Sequence, residues 1–281
     1  AETGVPVDSS FGNREWGVVV KNKDFSTYYL NVFLDDWDIS YNDVFSFNEI
    51  DWQLPHNFYL DDYYYKGNYK ENFDSKLYSE NFSIKPVFSP DTSFLEIYNL
   101  IDKAQESIYI EQLYIYKYWD EKLNPFLELL SKKAENGVDV RVIMNYNPFY
   151  DSTNQKMNET KNYLIENNVK VKFIYTNWSV FTNVHNKGVI VDNRSVLISS
   201  INWNENSFMN NREAGVIIIN KNVSKYYSDV FFFDWNLLEP KEKIYHEKNI
   251  QDEKDNTIYI VAIYTLTLAL IFQDWRKRKW T

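Results

Sequence analysis

Two stretches of the chain repeat one another at a fixed spacing, and this repeat constrains the fold more than any other feature. Of the 25 positions from Asn13 to Trp37, 14 are identical to the positions 198 residues later, from Asn211 to Trp235. A match of this length at one offset is difficult to attribute to composition. We therefore expect two homologous lobes, in which residues 1–38 are the C-terminal remnant of a first lobe that is largely missing from this chain.

The region after residue 85 alternates predicted helices and strands. Apolar spacing and turn signals predict helices over 92–106, 124–136 and 156–166, and strands over 107–115, 138–144 and 169–175. This alternation is typical of an α/β fold with a mainly parallel or mixed sheet flanked by helices. We assign the second lobe to residues 86–240. Residues 39–85 are rich in Tyr, Asp and Asn, show no sustained period and are interpreted as an excursion between the lobes.

Composition excludes several common kinds of active site. The chain has 281 residues, no cysteine and seven glycines, none of which falls in a GxGxxG or GxxxxGK[ST] phosphate-binding loop. None of the three histidines belongs to an HExxH zinc motif, so we predict neither a metal nor a cofactor. The formal net charge of −10 disfavours a generally basic protein that wraps nucleic acid, although it allows a local basic pocket.

The densest group of polar candidates begins at residue 185. His185 and Lys187 open a β-branched run, and because alternate side chains on a strand share a face, both can bind one ligand. Asp192, at the end of that run, points to the other face. A turn and a second apolar strand over 195–198 then lead to Ser200 and Asn202, again two residues apart.

These residue types suit chemistry on a phosphodiester. The imidazole of His185 can attack phosphorus or protonate a leaving oxygen, and the Lys187 ammonium can neutralise non-bridging oxygens. Ser200 and Asn202 can donate hydrogen bonds to the charge that develops in the transition state. Glu213, which follows Asn202 by 11 residues, is expected to hold the far N–H of the imidazole and to fix its tautomer.

The spacing of these residues resembles the HxK(x)4D(x)6GSxN signature of the phospholipase D superfamily. The matching positions are His185, Lys187, Asp192, Ser199, Ser200 and Asn202, with Ser199 where the family usually has glycine. The resemblance covers roughly residues 86–238 and, through the repeat, residues 1–37. It implies a two-lobed fold, a phosphohistidine intermediate formed without a metal, and two histidines that act as nucleophile and general acid. It also implies a structural role for Asp192.

The resemblance calls for a second HxK motif. His56 lacks the lysine, and residues 246–248 have the spacing but not the strand that should follow, so both histidines are interpreted as loop or surface residues. The offset of 198 places the counterpart of His185 before residue 1, where Glu15, which matches Glu213, would orient it. Either a further N-terminal stretch or a second chain would supply this motif, and we favour the first.

Four aromatic residues flank the motif: Trp178, Phe181, Trp203 and Phe208. They can either pack in the core or line the substrate pocket. Trp178 and Trp203 are our candidates for substrate binding.

The C-terminal region predicts a membrane anchor. Residues 257–272 carry no charge, and a basic segment with two tryptophans follows at 275–280. We expect a transmembrane helix over 257–273, a charged stalk over 241–256 and a basic cytoplasmic tail over 274–281, which places the catalytic lobes outside the cytoplasm. A buried core helix is the alternative interpretation of the apolar segment.

An anchored enzyme favours a lipid substrate. We therefore expect a membrane-anchored phosphodiesterase or phosphatidyltransferase that acts on phospholipid. A nuclease that cleaves DNA or RNA and a catalytically inactive binding protein are the two alternatives, and the residues do not distinguish hydrolysis from transfer to an alcohol.

Overall fold

A seven-stranded mixed sheet forms the centre of the protein. The computed structural model describes residues 12–38, 40, 72–147, 149–175 and 182–237. The strands are β1 Ser83–Ser89, β2 Ser107–Gln112, β3 Tyr118–Trp119, β4 Lys122–Leu123, β5 Asp139–Tyr146, β6 Lys170–Tyr175, β7 Lys187–Val191, β8 Ser195–Ser199 and β9 Glu213–Ile219. Strands β3 and β4 pair separately, and the large sheet has the order β1-β9-β8-β7-β2-β5-β6. Strands β2, β5 and β6 are parallel, whereas the other neighbours are antiparallel, so the predicted α/β fold with a mixed sheet is confirmed.

Helices cover both faces of this sheet. Within the described residues they are α1 Lys23–Asp36, α2 Ser93–Asp102, α3 Pro125–Glu135, α4 Asp151–Glu166, α5 Glu205–Met209 and α6 Lys221–Trp235. One face of the sheet buries Ile110 and Val189 together with Ile97 of α2 and Phe126 of α3. The other face buries Ile190 together with residues of α6. Apolar side chains on both faces make this sheet the core of the described region.

The helix predicted over 124–136 is confirmed as α3, with the end signals that the sequence carries. The Asn124 side chain caps its start by accepting a hydrogen bond from Phe126 N at 3.0 Å. Gly137 follows its end with a φ of +88°, a conformation that glycine adopts without steric cost.

Two neighbouring elements are shorter than predicted. The helix expected over 92–106 ends at Asp102, and the strand expected over 107–115 ends at Gln112. The helix cannot continue because the main-chain N–H groups of residues 105–107 bind the Asp192 carboxylate instead of helical carbonyls. Strand β1 also begins inside the predicted excursion, at Ser83, because the segment from this residue pairs with β9.

The two copies of the repeat form helices with the same start signal. Asn22 caps α1 through Phe25 N, and Asn220 caps α6 through Val223 N, each at 2.9 Å. The capping asparagines lie 198 residues apart, which is the offset of the sequence repeat. Asparagine is among the preferred residues at this position because its side-chain oxygen satisfies a free N–H of the first turn.

Several predictions fall on residues outside the described ranges. These are the stalk at 241–256, the membrane span at 257–273, the basic tail at 274–281 and most of the excursion at 39–85. In the part of the chain that is described, no helix is both long enough and apolar enough to span a lipid bilayer.

Candidate active site

The candidate residues lie at one end of neighbouring strands in the seven-stranded sheet, and we call this side of the sheet its edge. Lys187 begins β7 and pairs with Gln112 at the end of β2 and with Ser199 at the end of β8. Ser200 follows β8 directly, and Glu213 begins β9. In antiparallel neighbours the start of one strand lies beside the end of the next. Residues far apart in sequence therefore meet at this edge.

His185 and Lys187 point the same way, as predicted. Lys187 Nζ lies 3.3 Å from His185 Nδ1 and also donates to the His185 main-chain oxygen. Lys187 is only 6% exposed, whereas 34% of the His185 side chain is open to solvent. The site thus combines a buried cation, whose field is weakly screened, with a ring that a ligand can reach.

A carboxylate from the other copy of the repeat holds the His185 ring. Glu15 Oε1 binds His185 Nδ1, and because the carboxylate only accepts, Nδ1 is assigned as the protonated nitrogen. Within the described residues Nε2 makes no hydrogen bond, so it is free to react. Residues 12–16 reach the ring by parallel pairing: Arg14 N donates to Asn183 O at 2.7 Å, and His185 N donates to Arg14 O at 3.0 Å.

This contact corrects the partners predicted for the two glutamates. Glu213 was expected to orient His185, but the structure places Glu15 there. Glu213 instead accepts hydrogen bonds from Ser200 Oγ and, at 3.2 Å, from Asn211 Nδ2. The position of Glu213 soon after Asn202 in sequence suggested the wrong partner for His185. Glu15 is the partner because its segment pairs with residues 183–186.

Tyr114 is a polar residue of the site that the sequence analysis missed. Its hydroxyl lies beside Asn202 and accepts a hydrogen bond from Asn204 Nδ2 at 3.3 Å. Burial, and then the neighbouring Tyr116 and Glu213, raises the pKa of Tyr114, so the hydroxyl stays protonated. Asn202 Oδ1 is buried and accepts no hydrogen bond from the described residues. No motif marks Tyr114, because it lies beyond the end of β2 in sequence and reaches the site through tertiary packing.

Asp192 directly follows β7, at the end of this strand that is opposite to Lys187. Its Oδ1 accepts from Glu106 N and Ser107 N, both at 2.8 Å, and its Oδ2 accepts from Gln105 N at 3.0 Å. Strand geometry separates it from Lys187 by about 16 Å. These contacts fix the start of β2, which is a structural task of the kind predicted for this residue.

The structure corrects the prediction that Trp203 binds substrate. Trp203 has no exposed surface, and its ring centroid lies 5.0 Å from that of Phe126. Its main-chain oxygen accepts a hydrogen bond from Tyr116 N at 3.0 Å. The large apolar area of the ring is stabilised by burial in the core, which removes it from the pocket wall. Trp178, the other candidate, lies outside the described residues.

Two tyrosines that lie 198 residues apart each bind the main chain of the other copy of the repeat. Tyr29 Oη donates to Gly215 O, and Tyr227 Oη donates to Gly17 O at 2.7 Å, so each tyrosine binds the glycine of the other copy. Burial raises the pKa of Tyr29 to about 12 and raises that of Tyr227 further, which keeps both hydroxyls as donors.

Two ion pairs follow the same exchange. Arg14 Nη2 donates to Asp234 Oδ1 at 2.9 Å, and Arg212 Nη2 donates to Asp36 Oδ1 at 2.7 Å. Arg14 and Arg212 are equivalent residues of the two copies, 198 positions apart, and so are Asp36 and Asp234. The Arg14 pair is buried, whereas the Arg212 pair is exposed.

The polar groups at the edge can bind and activate a phosphate ester. Lys187 supplies a positive charge, His185 an unbonded Nε2, and Ser200 and Asn202 a hydroxyl and an amide. Over the ranges that the structure describes, no three His, Asp or Glu side chains lie close enough together to hold a metal ion.

Comparison with known proteins identifies the family. The family model described as the cardiolipin synthase, PLD-like domain matches residues 97–235, a range that includes His185, Lys187 and Asn202. The chain belongs to the phospholipase D superfamily. Among its relatives, a cardiolipin synthase of Listeria welshimeri is 28% identical over 207 residues, which are 72% of this chain and 37% of that protein. The chain therefore spans little more than a third of the length of this curated relative.

Other similar proteins cover smaller parts of the chain. The DISARM protein DrmC of Bacillus paralicheniformis is 27% identical over 122 residues, which are 43% of this chain and 48% of that protein. Among solved structures, a phospholipase D family member, Nuc from Salmonella typhimurium, gives a TM-score of 0.47 at 22% identity, over 56% of this chain and 95% of Nuc.

Ser199 departs from the glycine of the phospholipase D signature, and the structure accommodates it. Ser199 pairs with Gly215 in β9, where a β-carbon would lie 2.5 Å from that of Ser199. Its hydroxyl donates to Lys187 O at 3.0 Å, which satisfies the added polar group. The absence of a side chain at Gly215 thus makes room for the serine.

Proposed function

We propose that this chain carries one half of the active site of a phosphodiesterase or phosphatidyltransferase that acts on phospholipid through a phosphohistidine. One observation supports this most strongly: Glu15 binds Nδ1 of His185 and leaves Nε2 without a hydrogen bond among the described residues, while the Lys187 ammonium lies 3.3 Å from Nδ1 of the same ring. An imidazole with a fixed tautomer and a neighbouring cation is suited to attack phosphorus or to protonate a leaving oxygen.

The proposed reaction uses two histidines in turn. The nucleophilic histidine forms an N–P bond while the P–O bond to the leaving alcohol breaks, and the second histidine gives its proton to the leaving oxygen. Water or a second alcohol then attacks phosphorus, the N–P bond breaks, and the second histidine takes up the proton of the attacking oxygen. Lys187 and Asn202 stabilise the charge on the non-bridging oxygens in both steps, while Ser200 donates its hydroxyl hydrogen to Glu213.

We place the second histidine against Glu213, with a homologous N-terminal lobe as its source. The exchanged contacts support this arrangement, because Glu15 binds the histidine of the other copy and Glu213 occupies the matching position 198 residues later. Glu213 is held by Ser200 and Asn211, which leaves it oriented at the edge of the sheet. A second chain that supplies the motif is the competing source.

Phospholipid is the proposed substrate on two grounds. The matching family model is named for cardiolipin synthase, and the relatives from Listeria and Clostridium perfringens are cardiolipin synthases. In addition, the uncharged segment 257–272 and the basic residues after it are suited to a membrane anchor with the catalytic lobes outside the cytoplasm. Removal of residues 257–281 should release the protein from membranes, and retention of the shortened chain would contradict the anchor.

The test is to incubate the full-length protein with labelled phospholipid vesicles and, separately, with labelled single-stranded DNA. We expect phospholipid to be consumed, and His185→Ala to lower turnover by at least about 100-fold. His246→Ala is the matched control, because residues 246–248 have the HxK spacing without the rest of the signature. It should leave turnover unchanged.

Each other outcome has a distinct meaning. Consumption of DNA alone would replace the lipid proposal by a nuclease, and consumption of neither substrate would indicate an inactive binding protein. The 281-residue chain by itself should show little turnover. Robust activity from this chain as a monomer would contradict the need for a second histidine.

A further inference from the structure

Three ionisable side chains meet inside the protein behind the HxK strand. Arg14, Glu111 and Asp234 are 8%, 0% and 0% exposed, and they come from the repeat segment, from β2 and from α6. Arg14 Nη2 donates a hydrogen bond to Asp234 Oδ1 at 2.9 Å, and the Arg14 Nε atom lies at ion-pair distance from Oδ2, 2.8 Å away. The Glu111 carboxyl lies beside Asp234 and Asn186.

The charges of this cluster balance only if one carboxyl holds a proton. Arg14 supplies one positive charge and contacts Asp234 with both nitrogens, so Asp234 is the ionised partner. Neither oxygen of Glu111 has a well-aligned hydrogen bond within the described residues. A second buried carboxylate without a cation of its own would be costly. Burial, and then the charge of Asp234, raises the pKa of Glu111 well above its usual range.

The same cluster is connected to His185 through the main chain. Arg14 O accepts hydrogen bonds from His185 N and Asn186 N, both at 3.0 Å. The next residue after Arg14 is Glu15, whose carboxylate binds the His185 ring. The position of the Arg14 side chain therefore affects how Glu15 meets the imidazole.

We propose that Glu111 is a positioning residue that is held in its uncharged form, so that the Arg14–Asp234 pair anchors residues 13–16 and keeps Glu15 on His185. This role depends on the proposed function only in that His185 is the reacting group. Infrared spectroscopy and NMR measure the protonation of Glu111 and the state of the His185 ring rather than turnover. Failure of this proposal can therefore be distinguished from failure of the proposed function.

Infrared spectroscopy tests the proton on Glu111 directly. The folded protein at pH 7 should show the carbonyl stretch of a protonated carboxyl, and Glu111→Gln should remove this band. Asp234→Asn should remove it as well, because Glu111 then ionises and pairs with Arg14. A band that persists in Glu111→Gln, or no such band in the wild type, would overturn the proposal.

The positioning role is tested by nitrogen NMR of the His185 ring, which reports the nitrogen that carries the proton. Glu111→Gln preserves shape and neutrality, so the ring should keep the single Nδ1–H tautomer of the wild type. Glu111→Ala removes the packing of the carboxyl group, and the ring should lose this single tautomer. Unchanged ring signals in a folded Glu111→Ala variant would contradict the role. If Glu111→Ala does not fold, the infrared result still decides the proposal.

The chain provides a matched control for these measurements. Arg212 pairs with Asp36 at the positions 198 residues from the buried pair, but this second pair is exposed and has Asp91 as a further partner. Arg212→Gln removes an equivalent charge without touching the cluster and should leave both the carboxyl band and the His185 ring signals unchanged. A change in either signal would show that a distant loss of charge is sufficient, which would remove the evidence for Glu111.

Discussion

Replacement of Gly188 by alanine should disturb the contact between the repeat segment and the HxK strand. A β-carbon at Gly188 would lie 2.3 Å from two carbons of the Trp16 ring, where ordinary contacts begin at 3.4 Å. The ring would therefore have to retreat by about 1.1 Å. Trp16 is almost fully buried and packs on Tyr227 with a centroid distance of 5.2 Å, so there is little space for this movement. Overpacking of this kind costs about 1–3 kcal/mol of unfolding free energy.

Gly17→Ala is the matched control, because no heavy atom lies within 4 Å of a β-carbon placed there. Both substitutions reduce the entropy of the unfolded chain to a similar extent, so the difference between them isolates the clash. Chemical denaturation should give a lower midpoint for Gly188→Ala than for Gly17→Ala. The His185 ring signals should shift only in Gly188→Ala, since Trp16 adjoins Glu15. Equal midpoints would refute the close approach of Trp16 to Gly188.

Three further predictions concern charge. Asp192→Asn places an amide against three main-chain N–H groups and should lower the unfolding free energy by about 1–3 kcal/mol, without shifting the His185 ring signals. In chemical denaturation, Arg14→Gln should cost about 3–5 kcal/mol because it leaves buried Asp234 unpaired, whereas Arg212→Gln, at an exposed pair, should cost at most about 1 kcal/mol. Because its pKa is raised on folding, Glu111 binds more protons in the folded than in the unfolded state. Glu111 should therefore make wild-type stability fall as pH rises above about 4.3, by up to about 1.4 kcal/mol per pH unit until that raised pKa is reached. Burial also raises the pKa of Asp234, to about 6, so Glu111→Gln should reduce this fall and leave the part that Asp234 contributes.

Local pattern was sufficient to predict the hairpin that presents the site. The β-branched run after Lys187 and the apolar run after Ser195 form β7 and β8, and the turn between them places Asp192 and Asn193 at φ values of +53° and +49°. Asp and Asn tolerate this left-handed conformation better than most residues. The strand period then predicts that His185 and Lys187 share a face, and the distance between their side chains confirms it.

The buried ionic cluster could not be predicted from the same rules. Charged residues such as Glu111 and Asp234 are assigned to solvent by default, because burial of a charge is costly unless a partner is present. The partner of Asp234 is Arg14, which lies 220 residues earlier in the sequence. Trp203 was misassigned for a related reason, since an aromatic residue beside a motif can line a pocket or pack behind it, and only tertiary structure distinguishes the two.

The exchange of partners between the two copies explains why Glu15 rather than Glu213 meets His185. A repeat whose segments pair across to each other gives every contact of one copy a counterpart in the other, as the pairs Tyr29–Gly215 and Tyr227–Gly17 do. The contact of Glu15 with His185 should then have a counterpart at Glu213. Arg212 precedes Glu213, and its main-chain N–H and C=O make no main-chain hydrogen bond within the described residues. The equivalent groups of Arg14 are both bonded to residues of the 183–186 segment. We therefore expect the segment that brings the second histidine to pair with Arg212 as residues 183–186 pair with Arg14.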